Sequence, residues 1–515
     1  MTEREWREAS DLRTSRLGLA AVLATAAVLR FWGIGHGIPH AVEVDEPEIV
    51  ERAFNMMRTG SLNPNQFFDY PTLYMYVQLV VSVVRFVTGA LTGAWTSLAQ
   101  ATSPSFYLWG RAVTAAFGVA TVLLVFRIGL RWGGRHALLA AGLLAVMPLH
   151  VRQSHYVLTD IPLTFFTTLA LLASLVAHER ARLGAFAIAG AAAGLAAATK
   201  YNGGIALLLP LLACWMTPAV RPSRLLCSLA AIGAAFVAFL IAAPYTLLDL
   251  PAFLDGFARL TAAYRHNPAP PEAGWMLYLK YLRGTLGWPA LLLALSGFVL
   301  GVVRFVRGPG RVRWALLVVF CLVHFWTIAR QNIVYGRYLL PMVPAVCVLA
   351  ATAVVSGVSL LRRYEIPRAP RTALIAALTV AALLPPAIQA VRYDRMLVRR
   401  GTADMAYDWI REHLPANAAI VIESRGLILP RNVYKSRNVV QLRMEHYQNY
   451  VSGGIDYLIA SSQSFGPYLY DTGPQRFPEE YAQYMHIFEQ SRELARFTPS
   501  ADVPGPELRI FQVRH

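Results

Sequence analysis

From Leu17 to Val391 the chain alternates long apolar runs with short polar joints, and runs of roughly 15–25 residues are long enough to cross a hydrocarbon core as helices. Eleven such runs are read as spans: Leu17–Gly35, Phe106–Phe126, Ala137–His150, Tyr156–Ala177, Leu183–Ala198, Gly204–Met216, Leu225–Leu247, Thr285–Phe305, Trp314–Ile328, Tyr338–Leu360 and Thr372–Val391. The shorter ones predict helices whose polar ends rest in headgroups or in protein. A further apolar piece, Tyr70–Trp95, opens on Tyr70-Pro71, carries Arg85 in its middle and is interrupted at Gly89 and Gly93. Counting it as a span would reverse the side of every later joint. It is therefore read as a pair of juxtamembrane helices along the interface, lined with Tyr74, Tyr76, Phe86 and Trp95.

Orientation comes from the cations, because Lys- and Arg-rich joints resist translocation. The clusters Arg127/Arg131/Arg135, Arg180/Arg182, Arg221/Arg224, Arg304/Arg307/Arg311/Arg313 and Arg362/Arg363/Arg368/Arg371 recur after every second span. With the N-terminus inside, all five lie in the cytoplasm. The same register places residues 36–105, residues 248–284 and everything after Arg392 outside. The first run, after Arg13 and Arg16, lacks a small-residue cleavage site and precedes many further spans, so it is read as a retained helix.

After Arg392 the pattern becomes that of a soluble domain. Thr402 is a candidate N-cap for a helix to Leu414, strand-like runs occupy 418–423, 438–442, 456–461 and 508–513, and a helical stretch falls near Pro478–Gln490. The expected organisation is a membrane domain over 1–391 and a small extracytoplasmic α/β domain over 392–515. No internal repeat or low-complexity tract interrupts it.

Composition agrees: 56% of residues are hydrophobic and 15% charged, which places the chain in the membrane class. A net charge of +17 could suit nucleic acid. The placing of the arginines in cytoplasmic joints explains it by topology instead, and no nucleic-acid partner is expected. Cys214, Cys227, Cys321 and Cys347 all lie within apolar segments, without metal-site spacing, and read as packing residues.

Acids are scarce, which makes their positions informative. Glu43-Val-Asp45-Glu46-Pro47-Glu48 opens the first outer loop, which continues through a turn- and aromatic-rich stretch to Tyr70-Pro71. Asp160, in Ser154-His155-Tyr156-Val-Leu-Thr159-Asp160-Ile-Pro162, stands at the outer edge of a span, where a lone carboxylate is costly. Its bland alternative is a helix N-cap before Pro162. Cations share that rim: Lys200 in Thr199-Lys200-Tyr201-Asn202, Arg265 and His266 in the second long loop, and Arg330 and Arg337 around residues 331–336. Interfacial snorkelling is the ordinary reading of such residues. A cluster on a side otherwise poor in cations points to an anion at membrane depth, such as a phosphodiester headgroup. Carboxylates facing a cationic rim suit displacement of a lipid phosphate from an anomeric carbon. A base takes the acceptor's proton, a positive site holds the leaving phosphate, and one displacement inverts the centre.

These residues resemble the GT-C glycosyltransferases, in the branch of the protein O-mannosyltransferases, the lipid A aminoarabinose transferase and bacterial transferases that use phospholipid carriers. The matching pieces are Val44-Asp45-Glu46-Pro47, Tyr70-Pro71-Thr-Leu-Tyr74, Ser154-His155-Tyr156 through Asp160, Thr199-Lys200-Tyr201 and Arg337-Tyr338-Leu-Leu-Pro341-Met-Val-Pro344, in the family's order. The resemblance implies a membrane domain of about eleven transmembrane helices with juxtamembrane helices in the first outer loop, in a bacterial inner membrane. It implies Asp45 as the base, Glu46 as its helper, and Asp160 as a second acid, which in some relatives lies near a divalent metal; Asp45 and Asp160 are the candidate ligands of such a cation. Lys200 and Arg337, with Arg330 and Arg265, fall to the carrier phosphate, and Tyr70, His155, Tyr201 and Tyr338 to substrate. The implied partners are membrane lipid, a polyprenyl-phosphate sugar, with mannose the commonest donor, and a glycan, lipid or protein acceptor. Two departures weigh against a protein acceptor. The loop after the seventh span has no room for an inserted β-trefoil domain, and His155 stands where relatives often carry Arg. The competing readings are a flippase for a lipid-linked sugar, against which stands the missing inverted repeat, and a noncatalytic assembly partner.

Overall fold

The computed structural model describes residues 3–41, 45–65, 67–101, 104–266, 270, 272–360, 367–423, 427–430 and 432–515, apart from the side chains of 3–15, 358–360 and 368. Glu43, Val44, Arg362 and Arg363 lie outside the described residues. Two compact units are present. The first comprises Met1–Trp32, Ile49–Ala101 and Trp109–Tyr393; the second comprises Gly33–Glu48, Thr102–Leu108 and Asp394–His515.

The first unit is helical. Among the described residues, eight helices are long and apolar enough to cross a membrane, and the protein is an integral membrane protein. The eight include Leu73–Leu91, which is one continuous helix of 19 residues. One helix stands where a pair was expected, because Gly89 and Gly93 fall at its end rather than splitting it. The run 137–150 also differs from a single span. It forms helix Gly134–Ala145 and a short helix Pro148–Gln153, because Pro148 has no N–H to continue the first ladder. The run 204–216 begins as the 3-10 helix Tyr201–Leu207 before Leu208–Met216. The second long loop contains helix Leu250–His266 and the start of helix Gly274–Arg307. The latter bends at Gly287, whose φ of 68° is open to glycine at little cost, two residues before Pro289.

Lipid tails give helices no hydrophobic reason to associate, so small residues must bring backbones close. Helices Leu183–Thr199 and Arg224–Ala242 do this: a Cβ added at Gly190 or Gly194 would lie 2.0 or 2.1 Å from the carbonyl oxygens of Ala231 or Ala235. Arg30, fully buried, serves the broken helix Gly134–Ala145. It donates to the carbonyls of Leu144 and Ala145, the last of that helix, and to His150 Nδ1.

The second unit carries a five-stranded sheet of β1 (Ala419–Glu423), β2 (Lys435–Val439), β3 (Tyr457–Ser461), β4 (Arg492–Phe497) and β5 (Leu508–Gln512), in the order β2-β1-β3-β5-β4. β1 pairs in parallel with β2 and β3, and β5 antiparallel with β3 and β4. Ile420 and Ile422 of β1 face one apolar layer with Ala406 and Ile410 of helix Thr402–His413, while Val421 faces another with Phe465, Tyr484 and Ile487. A central strand buried on both faces accounts for the unbroken apolar run in its sequence. The N-cap of the first helix is Gly401, one residue before the expected Thr402, and the Gly401 N–H donates to the Asp404 carboxylate. The strap Gly33–Ala41, sequence-distant from the sheet, docks on this unit: the Ile428 N–H donates to the His40 carbonyl, and the His40 ring stacks on Tyr407 at 3.7 Å.

Glu423 closes β1 and is buried, accepting hydrogen bonds from the Leu442 and Ser461 N–H groups and the Tyr484 hydroxyl. Burial outweighs these donors and pushes its carboxyl up to about 7. The folded state then holds this proton more tightly than the unfolded chain, so the unit loses stability as pH rises from about 4.5 to 7 and the loss levels off above, by up to about 3 kcal/mol at this site. Thermal unfolding of the full chain across that range should show this slope, and Glu423→Gln should remove it; an unchanged slope in the variant would contradict the assignment.

Candidate functional site

Within the first unit, three interruptions of helical structure bring charge together. Asp160 opens helix Asp160–Arg180, following a non-helical turn at Ser154–Thr159. Its carboxylate does not cap that helix; it turns to the cations, which decides against the N-cap alternative. Lys200 ends helix Leu183–Thr199 in extended backbone, and Arg337 lies in the 3-10 helix Gly336–Met342. An acid in a first helical turn and a cation just beyond a helix C-terminus each sit at the end of the dipole that favours them.

The Lys200 Nζ donates to Asp160 Oδ1 at 2.9 Å, and the Arg337 Nε lies 3.8 Å from Oδ2. The Asp160 side chain is 4% exposed, that of Lys200 11% and that of Arg337 16%. A charge so withdrawn from water persists only with partners, and two cations here share one carboxylate. Aromatic rings enclose them: Lys200 Nζ is 4.9 Å from the Tyr338 ring and 5.8 Å from the Tyr70 ring, and the Arg337 guanidinium is 4.9 Å from Tyr335. The Tyr338 hydroxyl is 2.8 Å from that of Tyr264, which comes from helix Leu250–His266. Such faces hold a cation while limiting access of water.

The cluster therefore gathers Asp160, Lys200, Arg337, Tyr70 and Tyr338. Tyr201 stands beside it in a supporting position, its hydroxyl donating to the Phe68 carbonyl and its ring packing on Phe253 and Phe257. His155 is buried, its ring nitrogens 2.9 and 3.0 Å from the carbonyls of Val151 and Trp32, so its visible work is on the backbone. Arg330 is exposed and stacks on Trp326, and Arg265 is exposed at the end of its helix, as snorkelling cations are. Asp45, half-buried, and Glu46, fully buried, belong to the second unit and immediately precede helix Pro47–Thr59. Among the described residues, no three His, Cys, Asp or Glu side chains form a metal-holding group. The Asp160 carboxylate, bracketed by an ammonium and a guanidinium, is a poor ligand for a divalent ion, and no step is assigned to one.

Two residues of this region escaped the sequence reading. Tyr264 carries no signal that separates it from an interfacial aromatic. His324 does: it is an ionisable residue inside an apolar span, which is itself a mark of function.

Membrane-crossing helices whose breaks carry charged residues, with a small α/β unit at the C-terminal end of the chain, define a polytopic membrane protein of GT-C architecture. Residues 63–266 match the family model of the dolichyl-phosphate-mannose-protein mannosyltransferases. The fold is similar to that of ArnT from Cupriavidus metallidurans bound to undecaprenyl phosphate, with a TM-score of 0.57, 15% identity and coverage of 96% of this chain and 97% of that one. It is also similar to the archaeal oligosaccharyltransferase AglB from Archaeoglobus fulgidus in complex with an inhibitory peptide and a dolichol-phosphate, with a TM-score of 0.57, 14% identity and coverage of 96% and 74%. No curated protein matches the sequence. The fold is thus of the GT-C kind, and residues 63–266 resemble the O-mannosyltransferases.

Proposed function

We propose that the protein is an inverting glycosyltransferase that moves a sugar, with mannose the first candidate, from a polyprenyl-phosphate carrier to an acceptor on the extracytoplasmic side of a bacterial inner membrane. The observation that carries this reading is the convergence of Lys200 and Arg337 on Asp160 at three helix breaks. A lipid phosphate meets the same requirement as the carboxylate, an anion at membrane depth between two cations. The two similar structures are complexes with undecaprenyl phosphate and with a dolichol-phosphate, and the matched family is named for transfer of mannose from dolichyl phosphate to protein.

In this mechanism the Asp45 carboxylate accepts the proton of the acceptor hydroxyl as its oxygen bonds to the anomeric carbon. Glu46 orients that hydroxyl. The bond from the anomeric carbon to the phosphate oxygen breaks, its electron pair stays on the departing polyprenyl phosphate, and Lys200 and Arg337 stabilise that charge. Arg330 and Arg265 stand as rim cations that draw the headgroup in, and Tyr70 and Tyr338 border the sugar. The test is purified protein in proteoliposomes made with cell-envelope lipid extract and polyprenyl-phosphate mannose. Free polyprenyl phosphate should accumulate in step with mannosylated product. Movement of intact donor across the bilayer without cleavage would establish a flippase instead.

A further inference from the structure

We infer that His324 is a positioning residue for the phosphate-binding cations, acting through the main chain of Arg337-Tyr338; the inference rests on the proposed phosphate role of that site. His324 lies on the buried face of helix Arg311–Ala329, is 1% exposed, and its Nε2 is 2.8 Å from the Tyr338 carbonyl. A carbonyl can only accept, so Nε2 carries the proton and donates.

The reason that carbonyl needs an outside donor is written in the next residues. In a 3-10 helix each carbonyl accepts from the N–H three residues on. For Tyr338 that residue is Pro341, within the 3-10 helix Gly336–Met342, and proline has no N–H. A buried carbonyl deprived of its local donor carries a desolvation cost unless another group serves it. His324 supplies the donor from a neighbouring helix. The bond ties the turn to the helix at the residue whose ring faces Lys200 and whose predecessor reaches Asp160. The side chain touches neither the proposed phosphate nor the sugar; it fixes the backbone from which Arg337 and Tyr338 extend.

The experiment measures undecaprenyl phosphate binding to the detergent-solubilised full chain by native mass spectrometry, with thermal stability read in parallel. His324→Phe keeps the volume and removes the donor, and is expected to weaken binding about 10-fold, the scale of one lost hydrogen bond. His324→Gln, which keeps an N–H donor, is expected to stay within about 3-fold of native. The decisive variant is His324→Phe combined with Pro341→Ala, which returns a main-chain N–H to the turn and is expected to recover binding; a purely space-filling role for His324 would show no such recovery. Native affinity in His324→Phe, or no recovery in either Gln or the double variant, overturns the inference. If His324→Phe does not fold, the comparison of His324→Gln with His324→Gln/Arg337→Met decides: near-native binding lost only with Arg337 supports the positioning role, whereas loss already in His324→Gln overturns it. Arg337→Met in the native background separates the two levels, since undiminished binding there removes the phosphate site itself.

Discussion

Asp45→Asn is expected to lower sugar transfer by about 10³-fold while undecaprenyl phosphate affinity stays within about 2-fold of native. The amide keeps the shape of the side chain but cannot accept the acceptor's proton, and loss of a general base costs on the order of 10²–10⁴-fold. Asp45 opens the approach to helix Pro47–Thr59 and is half-buried, so the exchange leaves that helix its first-turn acid, Glu48. Single-turnover transfer measured beside carrier binding checks this. Retained turnover would remove Asp45 from the chemistry, and lost binding would reassign it to the donor site.

Lys200→Met is expected to fail in the opposite way. Methionine preserves much of the apolar stem under Tyr338, and Asp160 keeps Arg337 as a neighbour, so the buried carboxylate is not stranded. What disappears is one charge-assisted bond to the phosphate, worth about 2 kcal/mol, or roughly 30-fold in undecaprenyl phosphate affinity. Transfer should fall by more than binding does, because the leaving phosphate gains charge in the transition state and the ammonium meets it there. Binding isotherms and single-turnover rates on the same preparation test this; an equal, small fall in both would mark Lys200 as a snorkelling cation.

Charge and hydropathy made much of this arrangement readable in the sequence. Lys200 and Asp160 were conspicuous because each breaks an apolar pattern where an isolated charge is expensive, and Arg337 because it precedes a Tyr-Leu-Leu-Pro turn. β1, β3 and β5 of the second unit were legible for the opposite reason, as apolar runs such as Ile420–Ile422 that two covered faces require, whereas β2 lies at Lys435–Val439, a polar edge strand three residues before the expected run 438–442. β4 escaped because Arg492–Phe497 is an edge strand with three charges in six residues and neither an apolar run nor a strict alternation. The pair of helices expected over Tyr70–Trp95 is one helix, in which Arg85 rests its guanidinium on Trp95 and Trp109, at 4.5 and 5.7 Å. A cation so covered interrupts an apolar helix less than its charge suggests. The packing of Gly33–Ala41 with Asp394–His515 in one unit was invisible, since contacts between segments that far apart leave no local periodicity. The pairing of His324 with Pro341 was hidden for the same reason, since only the carbonyl between them shows why the two occur together.

The central claim is that Lys200 and Arg337 hold a lipid phosphate where Asp160 now engages them. The most direct measurement is an experimental structure of the full chain with undecaprenyl phosphate bound. The account predicts phosphate oxygens about 2.7–2.9 Å from Lys200 Nζ and from the Arg337 guanidinium, with the Tyr338 ring still over the ammonium. A phosphate seated elsewhere, with both cations remaining on Asp160 alone, would contradict it.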